Sequence, residues 1–150
     1  MQHIVKVGSE KEETDTDLAL RYALLYAPTE IILTGVTGGR LDHEEAAKRA
    51  LLRVQVANPT IHCSIENKQN TVRYLVEPGK KIPLRKKMRY VSFFSVQEPI
   101  EEVTLRGVKY ETLAESMDIY SSRFTSNEVL ADDAYISFSN GICLMITSID

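Results

Sequence analysis

What most constrains the fold of this chain is a change of pattern at residues 66–70, Glu-Asn-Lys-Gln-Asn, a polar stretch with no apolar face. Before it, apolar runs of strand length alternate with segments of helical periodicity. After it come short alternating or aromatic-rich runs separated by turn residues, with no helix of ordinary length. The first pattern belongs to a parallel sheet with crossover helices, the second to antiparallel β structure. A chain of 150 residues is long enough for both, and should bury about 68–70% of its unfolded surface. No apolar run approaches the ~18 residues of a membrane span, and the first residues lack the apolar core of a signal peptide. The expectation is a cytoplasmic chain with no membrane partner.

Local signals place the elements. Residues 3–7, His-Ile-Val-Lys-Val, read as a strand. Thr14 is an N-cap, Asp17 completes a capping box three residues on, and Asp15 and Asp17 suit the positive end of a helix dipole. Leu18, Ala19, Tyr22, Leu25 and Tyr26 recur at helical spacing, and Pro28 marks the stop. Residues 31–36 predict a strand covered on both faces. The turn Thr37-Gly38-Gly39-Arg40-Leu41-Asp42-His43 leads into a second helix with an apolar stripe of Ala46, Ala47, Ala50, Leu51 and Val54, ended by Asn58-Pro59. Residues 60–65 form the next strand. Residues 71–77, 89–96, 101–105, 134–138 and 142–146 predict further strands, the last two joined through Ser139-Asn140-Gly141, a turn of hairpin type. The fold class is thus α/β plus all-β, a Rossmann-like parallel part over 1–67 followed by an antiparallel sandwich or barrel over 68–150.

Charge is uneven. The net charge is −3, from 18 basic and 21 acidic groups, yet residues 80–89 hold six of the basic groups and no acid. Residues 10–17 hold five carboxylates and one lysine. Each reads first as a solvated surface. No aromatic–glycine motif accompanies the basic run, so a nucleic-acid partner is not indicated. Cys63 and Cys143 form no disulfide framework and read as small buried hydrophobes, His62 as a core histidine, and three scattered histidines support no zinc site.

Chemistry is expected at two turns, where helix N-termini point beyond strand ends. The glycines let backbone N–H groups approach a phosphate, and Arg40 adds a bidentate contact. Asp15 offers one carboxylate to Mg²⁺. A purely structural reading makes Gly38-Gly39 a tight turn, Asp42 an N-cap and Arg40 part of a surface ion pair.

Longer strings narrow this. Residues 10–20 with 31–43, ending Gly-Gly-Arg-Leu-Asp-His, resemble the thiamine pyrophosphokinase family. So do Val91-Ser92-Phe93-Phe94-Ser95, Gly107-Val108-Lys109-Tyr110-Glu111-Thr112-Leu113 and Ser126-Asn127-Glu128, in order along most of the chain. The resemblance implies pyrophosphoryl transfer from ATP to the thiamine hydroxyl, an α/β catalytic part, a β-rich thiamine-binding part and a homodimer with shared sites. It implies Asp15, Arg40 and Asp42 as catalytic residues, with Asp15 on Mg²⁺. Lys11, Thr14, Gly38, Gly39, Arg40 and His43 would meet the nucleotide; Tyr110, Ser126 and Asn127 would meet thiamine.

Two departures stand out. Glu12 replaces the aspartate usual in that family, and its Gly-Asp-x-Asp-Ser element occurs nowhere in the 150 residues. The expectation is an N-terminally truncated form with impaired turnover. The alternative is a non-catalytic thiamine-binding or interaction module that uses residues 80–89 to meet an anionic partner.

Overall fold

The structure, a computed structural model, describes residues 13–150. The strand expected over residues 3–7, and Lys11, lie outside the described residues. Helix α1 spans Asp15–Leu24 and begins as expected. The Asp17 N–H donates to the Thr14 hydroxyl oxygen (3.2 Å), and the Thr14 N–H returns a bond to the Asp17 carboxylate (3.2 Å). Arg53 donates a further bond to Asp17 at 2.6 Å, tying the start of α1 to the body of helix α2, Leu41–Ala57.

The same carboxylate makes this attachment pH-dependent. Burial raises the Asp17 pKa, but the Thr14 bonds and the Arg53 charge outweigh it and hold the group below its ordinary 3.8. A lowered folded pKa means stabilisation that is present above 3.8 and lost as pH falls through the lowered value. The protection factors of the α1 amides, taken relative to the intrinsic exchange rate at each pH, should therefore fall on acidification through this range, ahead of those of α2. Asp17→Asn should show the lower protection already at neutral pH; if α1 protection in that variant equals wild type, the tether is not what holds α1.

The α1 stripe departs from expectation. Leu20 is its buried residue, whereas Tyr22, Leu25 and Tyr26 are exposed. The helix turns its Leu20 side to α2 and the sheet, and no described element covers the other apolar side. The α2 stripe is as expected, with Ala47, Ala50, Leu51 and Val54 buried, and Asn58 caps its end.

Strands β1 (Glu30–Leu33), β2 (His62–Glu66), β3 (Asn70–Leu75), β5 (Tyr90–Ser95) and β9 (Cys143–Ser148) make a five-stranded sheet in the order β1-β2-β3-β9-β5. Only β1 and β2 are parallel; the other pairings are antiparallel. Strands β4 (Ile82–Pro83), β6 (Ile100–Arg106), β7 (Thr112–Met117) and β8 (Tyr135–Ser137) make a second sheet, ordered β4-β8-β6-β7. Both orders are open, so of the two β architectures expected the sandwich is found and no closed barrel is present among the described residues.

Alternation along the shared strands divides the interior into two cores. Leu144 and Ile146 of β9 join Val72 and Tyr74 of β3 and the helices, while Cys143 and Met145 face the second sheet with Val91, Phe93 and Leu75. Residues 66–70 are a tight turn within the first sheet, where the Asn67 side-chain carbonyl accepts from Gln69 N–H (2.9 Å) and Asn70 N–H (2.8 Å).

Three sequence expectations need correction. Among the described residues β1 is an edge strand, with Ile31 buried but Ile32 47% exposed: one face is covered by them, not two. Ser139-Asn140-Gly141 does not close a hairpin, because β8 and β9 belong to different sheets. Asn140 instead accepts from Glu101 N–H (2.8 Å) and donates to the Pro99 carbonyl (3.0 Å), pinning the crossing. His62 is exposed at the start of β2, not packed in a core.

Candidate functional site

Residues 34–40 leave the C-terminal end of β1 and enter α2. Gly35 and Gly38 have φ of +74° and +85°, and an added Cβ at either would meet nothing within 4 Å. Their requirement is conformational, not steric. Asn67 donates to the Thr37 hydroxyl oxygen at 2.9 Å, anchoring this turn to the end of β2.

Arg40 stands at the N-cap position but makes no side-chain cap. Its guanidinium grips Asp42 with Nε to Oδ1 at 3.1 Å and a second bond to Oδ2 at 2.5 Å. Asp42 is thus the second helical residue, not the cap, and it accepts from His43 N–H at 3.0 Å. The Arg40 bond holds the Asp42 carboxyl below the usual range. Both side chains are about two-thirds exposed, at 70% and 64%. Glu44, in the first turn of α2, is held low chiefly by its bond to Lys48 (2.8 Å). Thr14 and Asp15 start α1, where Thr14 is committed to the cap and Asp15 is exposed.

The second group of expected residues is built on a buried amide. Asn127 is 3% exposed. Its Nδ2 donates to the Tyr110 carbonyl (2.8 Å), and its Oδ1 accepts from Tyr110 N–H (3.0 Å) and Glu128 N–H (2.9 Å). Its backbone pairs both ways with Val91 of β5, at 2.8 and 2.9 Å. Ser126, at φ +55°, donates its N–H to the Ser92 hydroxyl oxygen at 3.0 Å. Tyr110 is held by its backbone and leaves its ring 60% exposed. Lys109 lies over that ring at 5.5 Å and pairs with Glu128 at 2.7 Å. Glu111 accepts from Gly107 N–H (2.8 Å), a bond that lowers its pKa ahead of the Arg106 contact. A small cleft of about 70 Å³ opens between Tyr110, Asn127 and Arg123.

Sequence reasoning singled out Asn127 and Ser126 but did not see Ser92 as the support of Ser126, or Asn67 as a partner of the glycine turn. Neither carries a local signal, since each contact spans a fold-level pairing.

The two groups do not meet within one chain. The glycine turn sits at β1 and Asn127 bridges to β5, at opposite edges of the sheet. Four strand spacings of about 4.8 Å put them roughly 19 Å apart or more. No group of three or more His, Cys, Asp or Glu side chains among the described residues could cage a metal. Nor is any helix of the described residues long and apolar enough to cross a membrane.

Fold and site together define an α/β sheet carrying a glycine turn, continuous with a β-sandwich carrying an exposed tyrosine on a buried amide. Comparison with known proteins finds the same fold. Residues 80–143 match the family described as thiamin pyrophosphokinase, vitamin B1 binding domain. The chain is 36% identical over 143 residues to the thiamine pyrophosphokinase of Bacillus subtilis (strain 168), covering 95% of this chain and 65% of that protein. The crystal structure of the Bacillus subtilis enzyme superposes with a TM-score of 0.85 at 36% identity, over 94% of this chain and 65% of that one. A thiamin pyrophosphokinase family protein from Enterococcus faecalis gives a TM-score of 0.78 at 31% identity, over 97% of this chain and 68% of that one. The chain belongs to the thiamine pyrophosphokinase family. It spans about two thirds of the length of these relatives.

Proposed function

We propose that this chain works in thiamine pyrophosphokinase chemistry, the transfer of a pyrophosphoryl group from ATP to the hydroxyl of thiamine with release of AMP. The observation that carries the reading is the pairing, on one family fold, of an Arg40–Asp42 glycine turn with a Tyr110 ring set on buried Asn127. The turn offers a guanidinium and backbone N–H groups to phosphate oxygens, as a transferring group with growing negative charge requires. Arg40 would exchange Asp42 for phosphate, freeing the Asp42 carboxylate to accept the proton of the attacking hydroxyl. On the other patch, the Tyr110 face suits a flat cation, and Ser126 and Asn127 shape its edge.

A metal ion fits as part of the nucleotide complex. Asp15 is one exposed carboxylate at a helix start, which suits Mg²⁺ that arrives on phosphates and keeps waters. Bound with ATP, Mg²⁺ would neutralise phosphate charge.

A homodimer follows from the roughly 19 Å within one chain: a partner copy would bring its Tyr110 patch to this glycine turn. Exposed Tyr22, Leu25 and Ile32 on the β1 side are apolar surface available to such packing. The functional division we propose remains 1–67 for the nucleotide and 68–150 for thiamine, on a sheet whose strands cross that boundary. A cytoplasmic setting accords with two free buried cysteines.

Calorimetric titration with ATP–Mg²⁺ and with thiamine tests the reading. Arg40→Ala should weaken ATP binding by at least about tenfold, the loss of one charge-assisted bidentate contact. Its stability should stay within about 1 kcal/mol of wild type, because the pair it breaks is a surface one. Saturable thiamine binding with no binding of ATP–Mg²⁺ would favour the non-catalytic alternative instead.

A further inference from the structure

One half of the first sheet's inner face is not apolar. The registers Thr71↔Thr147 and Arg73↔Met145 set Thr71 and Arg73 of β3 on the face that, at the β5 side, packs the sandwich core. Thr71 is 6% exposed, and neither its hydroxyl oxygen nor Arg73 Nε has a hydrogen-bond partner among the described residues. Both line a cavity of about 730 Å³, roofed by β4 and the basic loop after it. That volume is within the ~300–1,000 Å³ of small-molecule sites.

The charges around the cavity divide into satisfied and unsatisfied. Lys80 pairs with Glu77 at 2.5 Å, Lys87 with Glu66 at 3.2 Å, and Lys81 lies over the Tyr135 ring at 4.7 Å. Arg73 and Arg85 have no ion pair among the described residues. Burial lowers the Arg73 pKa; Cys63 and, less strongly, Glu30 oppose this, and the Arg85 charge adds to it. Two guanidiniums lining one cavity, together with an unbonded buried hydroxyl, form a donor set with no hydrogen-bond or ion-pair partner among the described residues. A carboxylate could answer one fork. A phosphate, with three or more oxygens, can accept from both forks and from the hydroxyl.

We propose that this cavity binds a phosphorylated small molecule, with Arg73, Arg85 and Thr71 on the phosphate. Glu30 and the exposed His62, at the β1 and β2 end of the same cavity, would face the rest of the ligand. No lining residue belongs to the glycine turn or the Tyr110 patch. The inference therefore goes beyond the function proposed above and fails separately from it.

The test is calorimetry with inorganic phosphate and with pyrophosphate at low ionic strength, on Arg40→Ala, whose glycine turn no longer competes for the probe, and on that variant with Arg73→Met or Arg85→Gln added. Saturable binding of one probe is expected, weakened at least about tenfold by Arg73→Met and at least about threefold by Arg85→Gln. The Arg40→Ala chain itself should keep one saturable site for the probe, since the cavity lies apart from the glycine turn. Absence of saturation in the millimolar range, or binding indifferent to Arg73, would each overturn the proposal. If Arg73→Met does not fold, exposed Arg85→Gln and the charge-keeping Arg73→Lys decide by the same criterion. A single-stranded RNA arm completes it: binding tighter than pyrophosphate and insensitive to Arg73→Met would assign the basic loop to nucleic acid and sink the cavity reading.

Discussion

Gly107→Ala should lower unfolding free energy by about 2–5 kcal/mol, the sum of a left-handed backbone penalty and overpacking. Gly107 has φ +72°, and a Cβ there would stand 2.8 Å from the Ala134 Cα and 2.9 Å from its Cβ. The first of these is backbone and cannot swing aside. The carbonyl of Gly107 also accepts from Leu130 (2.9 Å) and Ala131 (3.0 Å), so a shift of the turn breaks the contacts that close the sandwich beside Tyr110. Gly79 supplies the control: at φ +80° an added Cβ meets nothing within 4 Å. Gly79→Ala should cost only the backbone term, about 1–2 kcal/mol. Urea unfolding of both variants gives the comparison, and equal losses at the two positions would falsify the steric account. Thiamine titration of a folded fraction of Gly107→Ala should also show weakened binding, because Tyr110 is three residues from the displaced turn.

The second large effect is expected at Asn127. Replacing it by Ala strands Tyr110 N–H, Glu128 N–H and the Tyr110 carbonyl in a nearly closed site. Unsatisfied buried groups cost about 1–3 kcal/mol each, and partial access to water at Tyr110 keeps the expected total at about 3 kcal/mol. Thiamine affinity should fall at least about tenfold through loss of Tyr110 placement. Tyr110→Ala separates the two effects. Its ring is 60% exposed, so stability should stay within about 1 kcal/mol while thiamine binding falls by a similar factor. A Tyr110→Ala variant that binds thiamine like wild type would remove this ring from the site, whatever Asn127→Ala does to stability.

Much of the fold was legible where the determinants are local. The Thr14–Asp17 capping box, the α2 stripe and the Asn58 end are set by residues within a turn or two of one another, and the structure shows each where it was expected. Strands β3, β5, β6, β8 and β9 were located to within a few residues, but β7 and the two-residue β4 were not. In β7, a bulge breaks the alternation that would announce a strand. Ala114 adopts φ +49°, and the Thr104 and Thr112 hydroxyls complete the ladder in place of backbone partners. The exposed side of α1 was read as a core stripe because periodicity shows that residues share a face, not what that face meets.

The candidate residues divide the same way. Gly38 through His43 and Ser126-Asn127 could be picked out as short strings. That Asn127 spends its amide on the Tyr110 backbone, 17 residues away, is a tertiary fact.

Taken alone, the sequence determined the change from crossover helices to antiparallel strands at residues 66–70, the helix starts and ends, and the glycine turn. All of these follow from dihedral preferences and hydrogen bonds within a few residues. Only the tertiary structure decided that one sheet runs through that change and that Ser139-Asn140-Gly141 crosses between sheets. It also set the two candidate patches on opposite edges and left Arg73 beside Arg85 under the basic loop. Those outcomes depend on β9 inserting between β3 and β5, a pairing between residues 48 to 78 positions apart. Its free energy comes from burying both faces of the strand, and no local pattern encodes which neighbours supply them.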